Sequence, residues 1–339
     1  MGSIRRVVIS PALMAVSLLG ALSALAACRP SLHRESRLAM STTLTIVASA
    51  RQAPKWDALF QAADRLAWEF DHRYPDSPIG TLNRLGSAEL PPEVYSVVSE
   101  GLRIAALSDG AFDPTILPLT ELWSFDTGGR LPSPEEIEEA VSRVDYRRVE
   151  LLPPSAIGLP PGFGLDLGGI AKGAVVDLLA AVLDEEVGTD YLIDAGGDIL
   201  VSGLKEGGKP WVIAIQHPRD PQRFVGRLSL GDKGGKLAVV TSGDYERYFD
   251  QDGRRYHHIL DPKSGYPAEG PASVTVIAPT CARADALATA AFVLGGRRGL
   301  ALLEGLPDTE GLVLSETGGR LNALATSGFP LSLDELSLE

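Results

Sequence analysis

The stretch Gly164-Leu-Asp-Leu-Gly-Gly-Ile-Ala-Lys-Gly173 constrains this chain more than any other. It sets a carboxylate, a side-chain-free Gly-Gly corner and a lysine at the mouth of an apolar helix predicted over 171–183. Paired glycines let a backbone approach a ligand closely, or simply make a tight turn. A lysine in the first turn of a helix opposes the macrodipole, so Lys172 calls for an anion beside it. Asp166 is compatible with ligand contact or with a helix-start carboxylate. Far downstream, Ala284-Asp-Ala-Leu-Ala-Thr289 spaces a carboxylate and a hydroxyl by four residues, which puts Asp285 and Thr289 on one helix face. That helix is otherwise apolar, so its acid must be paired or bind metal; Arg283 is a poor partner because adjacent residues diverge. If the two stretches meet, they supply hard oxygen ligands for Mg²⁺ beside a glycine-lined phosphate seat.

The rest of the chain reads as α+β, with mixed and antiparallel sheets and packed helices. Strands are predicted at 40–48, 148–152, 191–194, 199–201, 211–216, 227–230, 237–241, 256–260 and 272–277, with a strand end at 163–167 and a last hairpin at 312–314 and 321–323. The segments at 211–216, 227–230 and 237–241 are expected to continue one sheet. Helical spacing marks 56–70, 93–107, 133–144, 284–294 and 298–303. Ser133-Pro-Glu-Glu136 is a helix start with Ser at the cap and Pro at the first position.

The first forty residues read as something other than fold. Met1 to Arg6 is basic, Val7 to Ala27 is apolar, and Leu25-Ala-Ala-Cys28 closes the run. This predicts an export signal over 1–27, and the Leu-Ala-Ala-Cys end resembles a bacterial lipobox with Cys28 as the lipidated residue. A plain secretory signal is the alternative. Residues 28–39 then form a polar tether with little reason to order, and a single domain covers 40–335. With Cys28 so used, Cys281 has no disulfide partner and is expected to be buried. A net charge of −13, with no basic stripe to offset it, argues against a nucleic-acid partner.

Further motifs have alternative readings. Ala195-Gly-Gly-Asp198 is first of all a hairpin turn. Thr241-Ser-Gly-Asp-Tyr245 offers two hydroxyls for phosphate oxygens or for helix capping. Adjacent His257 and His258 on a strand face opposite ways, so only one of them can line a site. Ser202-Gly-Leu-Lys205 and Lys263-Ser-Gly265 mimic serine-acylating boxes but lack the helix and strand those boxes need. No HExxH or CxxC suggests zinc.

Taken in order, eight motifs resemble the ApbE family of FAD:protein FMN transferases. They are Met40-Ser-Thr; Pro75-Asp-Ser with Leu82-Asn83; Gly110-Ala-Phe-Asp-Pro-Thr115; Asp166 to Gly173; Ala195 to Asp198; Thr241 to Arg247; His258-Ile-Leu-Asp-Pro-Lys-Ser-Gly265; and Ala284 to Thr289. The resemblance implies a T-fold-like core, FAD as substrate and Mg²⁺ as metal. It implies that Met40, Ala111, Phe112, Asp113, Asp166, Lys172 and Ile259 line FAD, with Tyr74 as a flavin-stacking residue displaced by one position because Arg73 holds the usual aromatic place. It also implies Gly169 (through its carbonyl), Asp285 and Thr289 as metal ligands; many members carry a second carboxylate where this chain has Ala288. The expected reaction is Mg²⁺-dependent transfer of FMN from FAD to a Thr or Ser of an exported acceptor flavoprotein, with release of AMP. His258 is the expected base, its ordinary pKa lying near neutrality. The alternatives are FAD hydrolysis to FMN and AMP, and non-catalytic FAD storage. The expected location is the outer face of a cell membrane, through a lipid on Cys28.

Overall fold

The computed structural model describes residues 31–50, 53–231, 235–331 and 336–338. The signal at 1–27 and Cys28 lie outside the described residues. In chain order the strands are β1 (Ser31–Ala39), β2 (Thr42–Ala50), β3 (Ser87–Glu89), β4 (Glu150–Leu152), β5 (Ala156–Gly158), β6 (Tyr191–Ala195), β7 (Asp198–Ser202), β8 (Trp211–His217), β9 (Asp220–Leu230), β10 (Lys236–Gly243), β11 (Tyr248–Gln251), β12 (Arg254–His257), β13 (Pro271–Ala278), β14 (Glu310–Thr317) and β15 (Arg320–Ala325). The helices are α1 (Trp56–Phe70), α2 (Pro78–Leu85), α3 (Pro92–Leu107), α4 (Leu117–Trp123), α5 (Pro134–Val141), α6 (Ala171–Glu186), α7 (Cys281–Leu294) and α8 (Gly296–Glu304). The α+β expectation holds.

An eight-stranded sheet ordered β1-β2-β6-β7-β10-β13-β14-β15 forms the frame, and every neighbouring pair in it is antiparallel. Its central strands alternate faces with period two. Leu200, Val240, Val276 and Val313 turn toward α6 and α7, while Val201, Val239, Ile277 and Leu312 turn toward β8, β9 and Phe329. A smaller cluster around Trp123, Tyr256 and Leu260 closes one end of the molecule, and the Trp123 indole N–H donates to the Gly265 carbonyl at 2.8 Å.

Five sequence expectations need correction. The segment 31–39, expected to be a loose tether, pairs over nine residues with β2 as an edge strand. Its charged residues gave no core signal, but pairing satisfies the backbone of an otherwise open edge, and the Arg37 guanidinium sits 4.6 Å above the Phe60 ring. The expected strand end at 163–167 is irregular. There the Asn83 side chain takes the place of a neighbouring strand, accepting from Leu165 N–H at 2.7 Å and donating to the Leu165 carbonyl at 2.8 Å.

The expected strand at 256–260 stops at His257, within a separate β11–β12 ribbon. Among the described residues, strands β8 and β9 form a ladder only with each other, as a hairpin laid over the main sheet instead of an extension of it. Finally, no helix is predicted between α1 and α3, yet α2 forms there: Pro78 lies in its first turn, and the Ser77 hydroxyl accepts from Gly80 N–H at 2.9 Å.

Candidate active site

The two distant stretches meet where α6 packs on α7. Gly173 makes that contact possible, because a Cβ there would lie 2.4 Å from the Cys281 carbonyl oxygen. Its N–H donates to Asp285 Oδ2 at 3.3 Å. A Cβ on Gly169 would lie 3.4 Å from Thr289 Oγ1, so the Gly-Gly corner faces the α7 hydroxyl directly. Helix α7 begins at Cys281, three residues earlier than its spacing suggests, and its cap residue Thr280 contributes no side-chain hydrogen bond. Asp177 of α6 caps it instead, accepting from Cys281 N–H and Ala282 N–H, both at 2.8 Å. Burial, only partly offset by those bonds, pushes the Asp177 carboxyl up to about 6.

Asp285 is 4% exposed. Burial and the neighbouring Asp198 carboxylate push its pKa well above the ordinary range, against the pull of Lys172. Lys172 Nζ donates to Asp198 Oδ1 at 2.8 Å. Burial alone would lower the lysine's pKa, but Asp198 and Asp285 raise it on balance. The anion that Lys172 called for is therefore a protein carboxylate, 26 residues on in the chain. Asp198 Oδ2 is buried and has no hydrogen-bond partner. The hairpin-turn reading of Ala195-Gly-Gly-Asp198 assigns this acid no role. Ala288 is fully buried and can supply no second ligand from α7, yet a carboxylate stands beside Asp285 all the same.

Around this corner opens a cavity of about 500 Å³. Met40, Ala111, Phe112, Asp113, Asp166, Gly169, Lys172, His258, Ile259, Asp285 and Thr289 all line it. Tyr74 does not. It is 53% exposed, in a turn whose backbone carbonyl accepts from Ser77 N–H, and Arg73 and His72 take the cavity-facing positions. Asp113 organises its loop, accepting from Thr115 N–H at 2.8 Å, Thr115 Oγ1 at 2.6 Å and Tyr146 N–H at 2.9 Å. Asp166 accepts from Gly168 N–H at 2.8 Å and has His72 Nε2 at 3.7 Å, a neighbour not foreseen in the sequence. At the rim, Asp126 accepts from Arg73 at 3.1 Å and from Arg247 at 2.8 Å, so one carboxylate ties two loops together.

Only one of the two histidines lines the cavity. His257 is buried against the Ala268 carbonyl at 3.0 Å, and His258 reaches the cavity with Nδ1 3.3 Å from the Arg247 carbonyl. The expectation of an ordinary His258 pKa is corrected: burial, then Arg247, His257 and Lys172, push it down to about 3. His258 is thus held as the neutral imidazole. Its Nδ1–H donates to the Arg247 carbonyl in the tautomer that leaves Nε2 with a free lone pair. Of the two capping candidates, Ser242 Oγ lies 3.4 Å from Thr289 Oγ1, and Thr241 bonds Thr275 at 2.8 Å. Neither caps a helix. Cys281 is free and fully buried, as expected.

Among the described residues no group of three or more His, Cys, Asp or Glu side chains is arranged to hold a metal. A cation here would draw on carbonyl and hydroxyl oxygens as well, and the Gly169–Asp285–Thr289 corner offers one of each beside a carboxylate. Such a set suits a hard ion. The cavity wall carries seven carboxylates (Asp71, Asp113, Asp126, Asp166, Asp198, Glu246, Asp285) against three permanent cations (Arg73, Lys172, Arg247). Added positive charge would help an anionic ligand enter such a wall.

Fold and site together define a class: an α+β protein with an acid-rich cleft at a helix–helix corner. The chain belongs to the ApbE family, whose sequence profile it matches over residues 40–313. It is 37% identical over 260 residues to the FAD:protein FMN transferase of Treponema pallidum (strain Nichols), covering 70% of this chain and 71% of that one. It is 37% identical over 239 residues to the enzyme of the same name from Vibrio cholerae, covering 68% and 70%. Among solved structures, the ApbE protein of Thermotoga maritima superposes with a TM-score of 0.79 at 36% identity, over 88% of this chain and 98% of that one. The Pseudomonas stutzeri flavinyl transferase ApbE, in its apo form, gives 0.79 at 32% identity, over 89% and 96%.

Proposed function

We propose that this protein transfers the FMN portion of FAD to a Thr or Ser hydroxyl of an acceptor protein, releasing AMP, in a reaction that depends on Mg²⁺. Family membership and the names of its relatives support the flavin transfer. The observation that carries the chemistry is the meeting of Gly169, Asp285 and Thr289 beside the Lys172–Asp198 pair. The residues fit a divalent ion: Asp285 is buried with one 3.3 Å backbone donor, and the adjacent Asp198 keeps an oxygen with no protein partner. Asp285, Thr289 and the Gly169 carbonyl would hold it. Mg²⁺ in that place supplies positive charge against the pyrophosphate and against the charge that develops as the bond breaks.

The chain's own residues do the rest. Lys172, at the cavity wall, is kept cationic by Asp198 and would face the phosphates of bound FAD. Ala111, Phe112 and Ile259 give the flavin an apolar wall. The acceptor oxygen bonds to the FMN phosphorus, the bond from that phosphorus to the bridging oxygen breaks, and AMP leaves with that oxygen. The acceptor's proton passes to His258 Nε2, which is neutral before the step, and the nearby anionic substrate raises its basicity.

The test is to incubate the protein with FAD, with and without Mg²⁺ and with and without an acceptor bearing a target threonine. AMP release together with flavin fluorescence on the denatured acceptor band, both abolished by EDTA, is the expected result. AMP without labelling of the acceptor would make it a pyrophosphatase, and no AMP under any condition would make it a flavin carrier. From the sequence of residues 1–28 we further propose export and lipid anchoring through Cys28 at the outer face of a membrane. Among the described residues no helix is long and apolar enough to cross one. Metabolic labelling with palmitate, lost in Cys28→Ala, tests the anchor.

A further inference from the structure

We infer that Asp177 is a positioning residue: it locks α7 against α6 and thereby sets the distance between the Gly169 corner and the Asp285 and Thr289 oxygens. The inference rests on the metal reading above and goes beyond it, because Asp177 touches neither the cavity nor the proposed ligands. An acid in the second turn of an apolar helix is costly unless paired. Here the partners are backbone N–H groups of another helix, Cys281 and Ala282 at 2.8 Å each. They are among the orphan donors of α7, and no side chain within α7's own cap meets them.

The lock has two points on one face of α6. Gly173 and Asp177 are four residues apart, so they project side by side. Gly173 brings the backbones together, a Cβ there being 2.4 Å from the Cys281 oxygen, and Asp177 holds the same turn by its N–H groups. Asp285 follows Cys281 by four residues and Thr289 by eight, on the same helical stripe. A shift of the first turn is therefore carried along α7 to both oxygens. The other side of the corner, Gly169 and Lys172, stands at the start of α6 itself. One carboxylate thus ties the two halves of the oxygen set to each other, whereas an ordinary cap would stabilise α7 without fixing its place.

The experiment compares the full chain with Asp177→Ala, Asp177→Asn and a stability control, Leu228→Ala, in the remote β8–β9 hairpin. Mn²⁺ binding is read by electron paramagnetic resonance and Mg²⁺ half-saturation by AMP release, with melting temperatures alongside. We expect Asp177→Ala to weaken Mn²⁺ binding and raise Mg²⁺ half-saturation about tenfold or more, with FAD binding in EDTA unchanged. Asp177→Asn keeps one acceptor oxygen and should fall between. Leu228→Ala should melt early and bind Mn²⁺ as the unaltered chain does. If both Asp177 variants melt early yet keep full Mn²⁺ affinity, the residue is only a cap and the inference fails. If the unaltered chain binds no Mn²⁺ and works in EDTA, the metal reading fails first and takes this inference with it.

Discussion

The two faces of the central sheet are built from the same strands, yet they are stabilised in different ways. On the far face Val201, Val239, Ile277 and Leu312 pack against Trp211, Ile213, Leu228 and Phe329, and apolar burial does most of the work. On the near face the strands support α6 and α7, where Asp177, Asp198, Asp285 and Lys172 sit among alanines and valines. Two of those acids are held with pKa values raised by burial, a cost the far face does not carry in its apolar packing. The contrast suggests that the far face supplies stability that the near face gives up for its site.

The largest expected effect separates the faces most sharply. Asp285→Asn removes the negative charge from the oxygen corner and should cut FMN transfer by about a thousandfold, or about 4 kcal/mol. It also removes repulsion with Asp198, so the melting temperature should hold or rise. Transfer assays and scanning calorimetry on one preparation decide it; a variant that loses stability in step with activity would erase the distinction between the faces. Next comes Leu228→Ala, at a fully buried position of the far face. A cavity there should cost about 2–4 kcal/mol in denaturant unfolding, with kcat/KM for FAD unchanged. A large loss of kcat/KM below the melting transition would show that the hairpin reaches the chemistry.

A smaller effect is expected at His258. His258→Ala should slow transfer about 100-fold while leaving FAD affinity within about twofold, because in the proposed reaction the side chain serves the acceptor hydroxyl and not the flavin. Full-rate transfer by that variant would remove the base role from His258. The fall of its pKa to about 3 in the free protein further implies that no acid limb from His258 shows in kcat/KM above about pH 5.

Local periodicity and capping made much of the frame legible. Helix α1 spans 56–70 as its apolar spacing requires, and Ser133 and Glu136 form the reciprocal cap that their spacing announces. The meeting of the Gly-Gly corner with Asp285 and Thr289 was legible because each stretch carried a charge its own helix could not satisfy. What stayed hidden was pairing set by topology. Asp198 looked like a turn residue because its partner Lys172 precedes it by a whole helix and strand. Asp177 carries no local signal in the sequence, since its partners are backbone groups 104 and 105 residues away. Strand β1 was missed for the same reason: its stabilisation comes from a neighbour's unpaired edge, not from its own composition.

The smallest expected effect concerns pH and the seam between α6 and α7. The folded pKa of Asp177 is raised from 3.8 to about 6, so the folded state binds its proton more tightly than the unfolded chain does. Its contribution to stability is fully present below about pH 4 and is lost as pH rises through about 6. The full shift corresponds to about 3 kcal/mol, and the backbone donors and residual water access reduce what is measured to about 1 kcal/mol. Asp177→Asn cannot ionise and lacks that dependence, while its lost hydrogen bond costs the same at every pH. The stability deficit of the variant should therefore be larger at pH 4.5 than at pH 7, by that amount, in urea unfolding at matched ionic strength. A deficit that instead grows toward pH 7 would mean that the ionised carboxylate is the favoured form in the fold, stabilised by the α7 N–H groups beyond the cost of its burial.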